Sequence, residues 1–198
     1  MVLILNTQDL TSFDFAEKIN NNHKLYSHKN NYEYQSSKNN SSILECLNKH
    51  DYILVINSMS IFINLDIKIS SFINLEDHLF LSLVTNTKRI SRTNMNDRIL
   101  SDSFIIKNTL WSYEFLSSWI SSKTNIQDFI LKNITIDYSI EDKIQNISWL
   151  DQDFQVFMPD IIQNPKKSSE CFLLNLFGLN ADTSNKTIFS LNSKLGIL

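Results

Sequence analysis

Glycine is nearly missing: Gly178 and Gly196 are the two in 198 residues, against a usual share of about 7%. Without a glycine cluster, neither a phosphate-cradling P-loop nor a G-x-G-x-x-G dinucleotide turn can be built. Proline is confined to Pro159 and Pro165, and alanine to Ala16 and Ala181. Asn, Ile, Ser and Lys take their place, the mixture expected of an A/T-biased coding sequence. Asn tolerates positive φ, so it can fill turn positions that glycine would otherwise occupy. Long apolar runs are also lacking, and the start, Met1-Val-Leu-Ile-Leu-Asn6, has no basic region. Neither a signal peptide nor a membrane span is expected, and the expected location is cytoplasmic.

Cysteine is scarce too. Cys46 and Cys171 form no C-x-x-C or zinc spacing. One long-loop disulfide is allowed, but two buried thiols in a reducing compartment are the favoured reading. Neither sign of charge dominates, since 18 basic and 21 acidic residues leave a net −3. No affinity for nucleic acid or anionic membrane follows from that balance. His23, His28, His50 and His78 show no ligand spacing and are expected at the surface.

What remains is the composition of a globular domain, 42% apolar and 20% charged. Val2 to Leu5 is a short apolar run of the kind found in buried parallel strands. Thr11 or Ser12 can cap a helix carrying Phe13, Phe15, Ala16 and Ile19. Tyr32 to Tyr34 reads as a second strand, and Ile43, Leu44 and Leu47 as one face of a helix. Asp51 to Asn57 is the clearest strand, apolar without alternation and so covered on both faces. Leu79 to Val84 and Ser103 to Lys107 read as strands, with a basic loop over Lys88 to Arg98 between them. Asn108 or Thr109 leads into a helix with Trp111, Phe115, Leu116 and Trp119 on one side. Residues 123 to 148 give no clear order. Asp151 to Met158 reads as a short helix and Cys171 to Leu174 as a last buried strand. Alternating strands and helices predict one α/β domain over 1–180 with a mostly parallel mixed sheet flanked by helices, and a tail over 181–198.

Five segments then resemble, in order, the galactosyltransferase/mannosyltransferase family of GT-A glycosyltransferases, which includes fungal α-1,2-galactosyl- and α-1,6-mannosyltransferases and plant xyloglucan xylosyltransferases. They are Asn22 to Tyr34, Asp51-Tyr-Ile-Leu-Val-Ile-Asn57-Ser-Met59 through Asn64, Leu100 to Ser112, Asp151-Gln152-Asp153-Phe154, and Phe172-Leu-Leu-Asn175-Leu-Phe-Gly178. The resemblance implies a GT-A, Rossmann-like fold and transfer of a sugar from a nucleotide sugar to a glycan or protein. It places Asn57, Met59, Ser101, Ser103 and Asn175 at donor-site positions, and Asp151, Gln152 and Asp153 on the acceptor side.

The departures from that family carry as much as the matches. Its D-x-D carboxylates and a C-terminal His hold Mn²⁺ or Mg²⁺ on the donor diphosphate. Here the same positions are Asn57, Met59 and Asn175, so no metal is expected: hard cations want anionic oxygens, and a thioether is soft. The family's small Asn-x-Gly turn becomes Ser101-Asp102-Ser103. No catalytic residue is assigned. Lys88, Arg89, Arg92 and Arg98 can grip a diphosphate in place of metal, or form a solvated basic loop. Three readings stay open: a degenerate relative that binds nucleotide sugar or glycan, or pairs with an active glycosyltransferase; an active metal-independent transferase; and an unrelated α/β interaction protein.

Overall fold

The computed structural model of the protein describes residues 1–7, 16–83, 99–147, 155–157, 171–176 and 186. Its centre is a six-stranded sheet in the order β2-β1-β3-β6-β5-β7. The strands are β1 (Val2–Asn6), β2 (Glu33–Ser36), β3 (Tyr52–Ile56), β5 (Leu79–Leu83), β6 (Ile99–Lys107) and β7 (Ile144–Asn146). Pairing is parallel from β1 to β2, β1 to β3 and β5 to β7, and antiparallel where β6 meets β3 and β5. Five strands therefore run one way and β6 alone opposes them. A smaller three-stranded sheet, β4-β9-β8, joins β4 (Ser60–Phe62), β9 (Leu173–Asn175) and β8 (Gln155–Phe157).

Each central strand sends alternate residues to opposite faces, and both faces are apolar, which is why its sequence does not alternate. Ile53, Val55, Leu79, Leu81, Phe104 and Ile106 face a core closed by the helices α2 (Ser41–Leu47), α3 (Leu110–Ser122) and α4 (Ile126–Ile136). Leu54, Ile56, Phe80 and Ile105 face a second core shared with Tyr26 of α1 (Ala16–Asn30) and with Phe62, Phe72, Phe172 and Leu173. α3 starts where Thr109 accepts the Ser112 N–H at 3.2 Å. Positive-φ residues outside glycine are, among the described residues, Asn31 and Lys123, at 56° and 55°. Asn31 follows α1 and Lys123 caps α3, positions where helices usually use glycine.

The structure corrects several expectations. Gln155–Phe157 is a strand, because its backbone pairs in parallel with Leu173–Asn175, and this pairing overrides the helical reading. Ser101 to Ser103 are not a free turn but part of β6. Phe104 opposes Leu81 while Leu100 opposes Ser82, so the three residues form a bulge. Residues 123 to 148 contain α4, a 3₁₀ segment Tyr138–Lys143 and β7. His23 and His50 are buried rather than surface residues. His50 sits between α2 and the edge strand β2, with Nδ1 at 2.9 Å from the Cys46 carbonyl and Nε2 at 2.9 Å from Glu33. Cys46 and Cys171 are buried thiols that are not joined in a disulfide, and burial pushes the Cys46 thiol pKa up. Among the described residues, no helix is long and apolar enough to cross a membrane. Thr11, Ser12, Phe13 and Phe15, the basic segment Lys88 to Arg98, Asp151 to Asp153 and the 181–198 tail (apart from Lys186) lie outside the described residues.

Candidate active-site corner

In sheets of this kind, ligands sit beyond the carboxyl ends of the parallel strands. β3 ends there at Ile56, and Asn57-Ser58-Met59 turns the chain into β4. The turn is locked by its own side chain: Asn57 Oδ1 accepts the Met59 N–H at 2.7 Å. The Asn57 carbonyl accepts the Ser60 N–H at 3.0 Å. From β6, Ser103 Oγ accepts the Asn57 N–H at 3.2 Å and lies 3.5 Å from Ser60 Oγ. Asn57, Ser58, Met59, Ser60 and Ser103 are all buried.

β4 then pairs antiparallel with β9, setting Ser60 opposite Asn175, and the Leu176 N–H donates to the Met59 carbonyl at 2.9 Å. That register leaves the backbone groups of Ser60 and Phe62 pointing away from β9, where α1 meets them with side chains. Asn22 donates from Nδ2 to the Phe62 carbonyl at 3.1 Å and accepts the Phe62 N–H on Oδ1 at 2.8 Å. His23 Nε2 lies 2.7 Å from the Ser60 carbonyl. A carbonyl can only accept, so Nε2 carries the proton. Nδ1 is then a bare lone pair, buried and without a hydrogen-bond partner among the described residues. Burial lowers the His23 pKa to about 4, outweighing the Ser60 bond that raises it. Tyr26 stacks on Phe62 with ring centroids 3.9 Å apart, and Phe172 meets both rings edge-on.

Of the residues singled out in the sequence, Asn57, Met59 and Ser103 thus share one corner, together with the backbone of Asn175. Ser101 lies in the adjoining β6 bulge. Asn22 and His23 were quoted as part of a motif but not as supports of this turn. Their signal is the spacing Ile19, Asn22, His23, Tyr26, Ser27, a helical i, i+3, i+4, i+7, i+8 face that is buried although three of its members are polar.

The donor set at this corner does not suit Mn²⁺ or Mg²⁺. Asn57 offers a neutral amide oxygen already committed to a backbone N–H, and Met59 offers a thioether. Among the described residues, no group of three or more His, Cys, Asp or Glu can hold a metal ion.

No protein-family model matches the chain, and no curated protein sequence matches it. Solved structures do. A glycosyltransferase involved in glycosylating the major capsid of PBCV-1 superposes with a TM-score of 0.68 at 10% identity, over 95% of this chain and 98% of that one. The bifunctional glycosyltransferase WbbM gives 0.55 at 8% identity, over 99% of this chain and half of its own. The galactosyltransferase LgtC, solved with donor and acceptor sugar analogues, gives 0.51 at 8% identity over the full length of both chains. The mixed, mostly parallel sheet flanked by helices matches the GT-A fold of these glycosyltransferases.

Proposed function

We propose that this protein is a glycosyltransferase-like binding protein, a degenerate relative that takes a nucleotide sugar or glycan at the Asn57–Met59 corner without a metal ion, or supports an active glycosyltransferase. The observation that carries the reading is the Asn57 side chain. Where the resembled family holds an acidic pair for the cation, this amide is neutral, buried and turned onto the Met59 N–H. A Lewis acid on the leaving diphosphate supplies several kcal/mol of transition-state stabilisation, and nothing in that donor set replaces it. Asn175 opposite Ser60, and Ser101 and Ser103 in the β6 bulge, complete the donor side of this reading. Asp151, Gln152 and Asp153 are its acceptor-side candidates.

A second reading, metal-independent transfer, is favoured by one topological fact. β5 ends and β6 begins at the sheet edge that also carries Asn57, so the two described ends of the connection bearing Lys88, Arg89, Arg92 and Arg98 lie at that edge. Guanidinium pairs can stabilise a leaving diphosphate in a dry cleft.

A thermal-shift panel of UDP- and GDP-sugars, each with and without Mn²⁺, tests the first reading. The expected result is a rise in Tm for at least one donor that is unchanged by Mn²⁺; at a hundredfold excess over Kd such binding adds about 2.7 kcal/mol. A rise that requires Mn²⁺ and is lost in Asn57→Ala overturns it. Donor turnover in EDTA that disappears in the Arg89→Ala/Arg92→Ala double variant moves the assignment to metal-independent catalysis.

A further inference from the structure

A second concavity lies at the other end of the sheet. β6 runs away from the Asn57 edge and delivers the chain to the start of α3 beside His78, whose Nδ1 is 2.8 Å from Thr109 Oγ1. α4 returns to the same end, and Asp137 leads from it into the 3₁₀ segment. Between these elements is a cavity of about 240 Å³. Its aromatic wall is continuous: Trp111 stacks on Phe115 at 4.9 Å and 17°, and Phe129 meets Phe115 edge-on at 5.3 Å. Its polar lining is Glu114, Ser118, Asn133, Asp137 and Ser139, of which the two acids are acceptors only.

Glu114 is exposed and Asp137 is exposed. Asp137 Oδ1 accepts the Ser139 N–H at 2.9 Å. Asn133 donates from Nδ2 to the Phe129 carbonyl at 2.7 Å, leaving its Oδ1 as an acceptor. Among the described residues, neither Glu114 nor Asp137 Oδ2 has a partner, and no Lys, Arg or His lines the cavity. The ring of His78 is 5.5 Å from Trp111. Burial, then Lys143 and Lys107, lower its pKa, so it adds no positive charge at neutral pH.

Glu114 and the Oδ2 of Asp137, beside an aromatic wall, attract a group that is positively charged, donates hydrogen bonds and has an apolar stem. The cavity is below the roughly 300 Å³ at which drug-sized sites begin, so the group is small. We propose that the α3–α4 cavity binds an organic monocation, a primary alkylammonium or a guanidinium, with Glu114 and Asp137 as its acceptors and Trp111 and Phe115 as its aromatic wall. This site is independent of the Asn57 corner and stands or falls separately from it.

The full chain, ¹⁵N-labelled, is titrated with n-butylammonium and n-butylguanidinium at constant ionic strength while the Trp111 indole signal is followed. Saturable shifts with a millimolar Kd are expected. Glu114→Gln and Asp137→Asn should each weaken binding about threefold, and the double variant about tenfold, in line with exposed charge pairs. Trp111→Leu should cost about threefold. N-acetylputrescine and an N-acetylated lysine-containing dipeptide amide, both monocations, then separate a free small amine from a side chain on a partner protein, and tighter binding of either supports the site. Absence of shifts, equal shifts with 1-butanol or methyl glucoside, or full affinity in the double-carboxylate variant overturns it.

Discussion

Where β3 ends, the polar side chains are neutral, buried and hydrogen-bonded, mostly to nearby backbone; at the other end of the same sheet, Glu114 and Asp137 are exposed carboxylates that keep oxygens without a partner among the described residues. Asn22, His23, Asn57, Ser60 and Ser103 belong to the first set, and Glu114 and Asp137 to the second. The difference teaches which polar residues the fold depends on. A buried donor or acceptor that loses its partner costs about 1–3 kcal/mol, so the first set is tied to stability. An exposed carboxylate costs the fold almost nothing, and its chemistry is left over for a ligand.

The largest expected effect lies under the Asn57 corner. Phe62→Ala removes a fully buried ring stacked on Tyr26 and touched by Phe172, and should destabilise by about 3–5 kcal/mol in urea unfolding. A loss below about 1 kcal/mol would mean that this aromatic cluster does not hold β4 in place.

Next comes pH. His23 titrates near 4 in the folded chain and near 6.5 when unfolded. Between those values the unfolded chain binds the extra proton, so stability is full above about 6.5 and falls as the pH drops towards 4. The loss should approach roughly 3 kcal/mol. Comparing urea midpoints at pH 7 and pH 4.5 in the parent and in His23→Asn checks this, because the variant should lose most of that slope. An identical slope in both would assign the acid sensitivity to other groups.

The smallest effect is expected at the opposite end. Glu114→Gln and Asp137→Asn should leave the unfolding midpoint within about 0.5 kcal/mol of the parent at pH 7, since Asn at 137 keeps an acceptor for the Ser139 N–H. A larger loss from either would blur the contrast between the two ends.

Much of the fold was readable from local pattern. The unbroken apolar run Tyr52–Ile56 declared a strand covered on both faces, and it is the third strand of the central sheet. Thr109 before Trp111, Phe115, Leu116 and Trp119 declared α3. Gln155–Phe157 misled because three residues carry too little periodicity, and its state is decided by β9, sixteen or more residues away. The corner itself was legible in Asn57, Met59 and Ser103 through resemblance. Its supports were not, because Asn22 and His23 look like solvent-facing helix residues until β4 is set against them. The Glu114–Asp137 cavity left no mark in the sequence, since its two acids are 23 positions apart on separate elements.

Strand β4 lies at the edge of its sheet, so one flank of it would ordinarily be an open row of backbone groups, the kind of surface through which one chain recruits another into an intermolecular sheet. Asn22 reproduces with a single amide the two bonds a neighbouring strand would give Phe62, and His23 supplies the one Ser60 requires. Because side chains of a helix occupy these sites, no second molecule can add a strand there without first pulling α1 away. For a chain rich in Ile, Asn and Ser, α1 therefore acts as a built-in guard against aggregation at this edge.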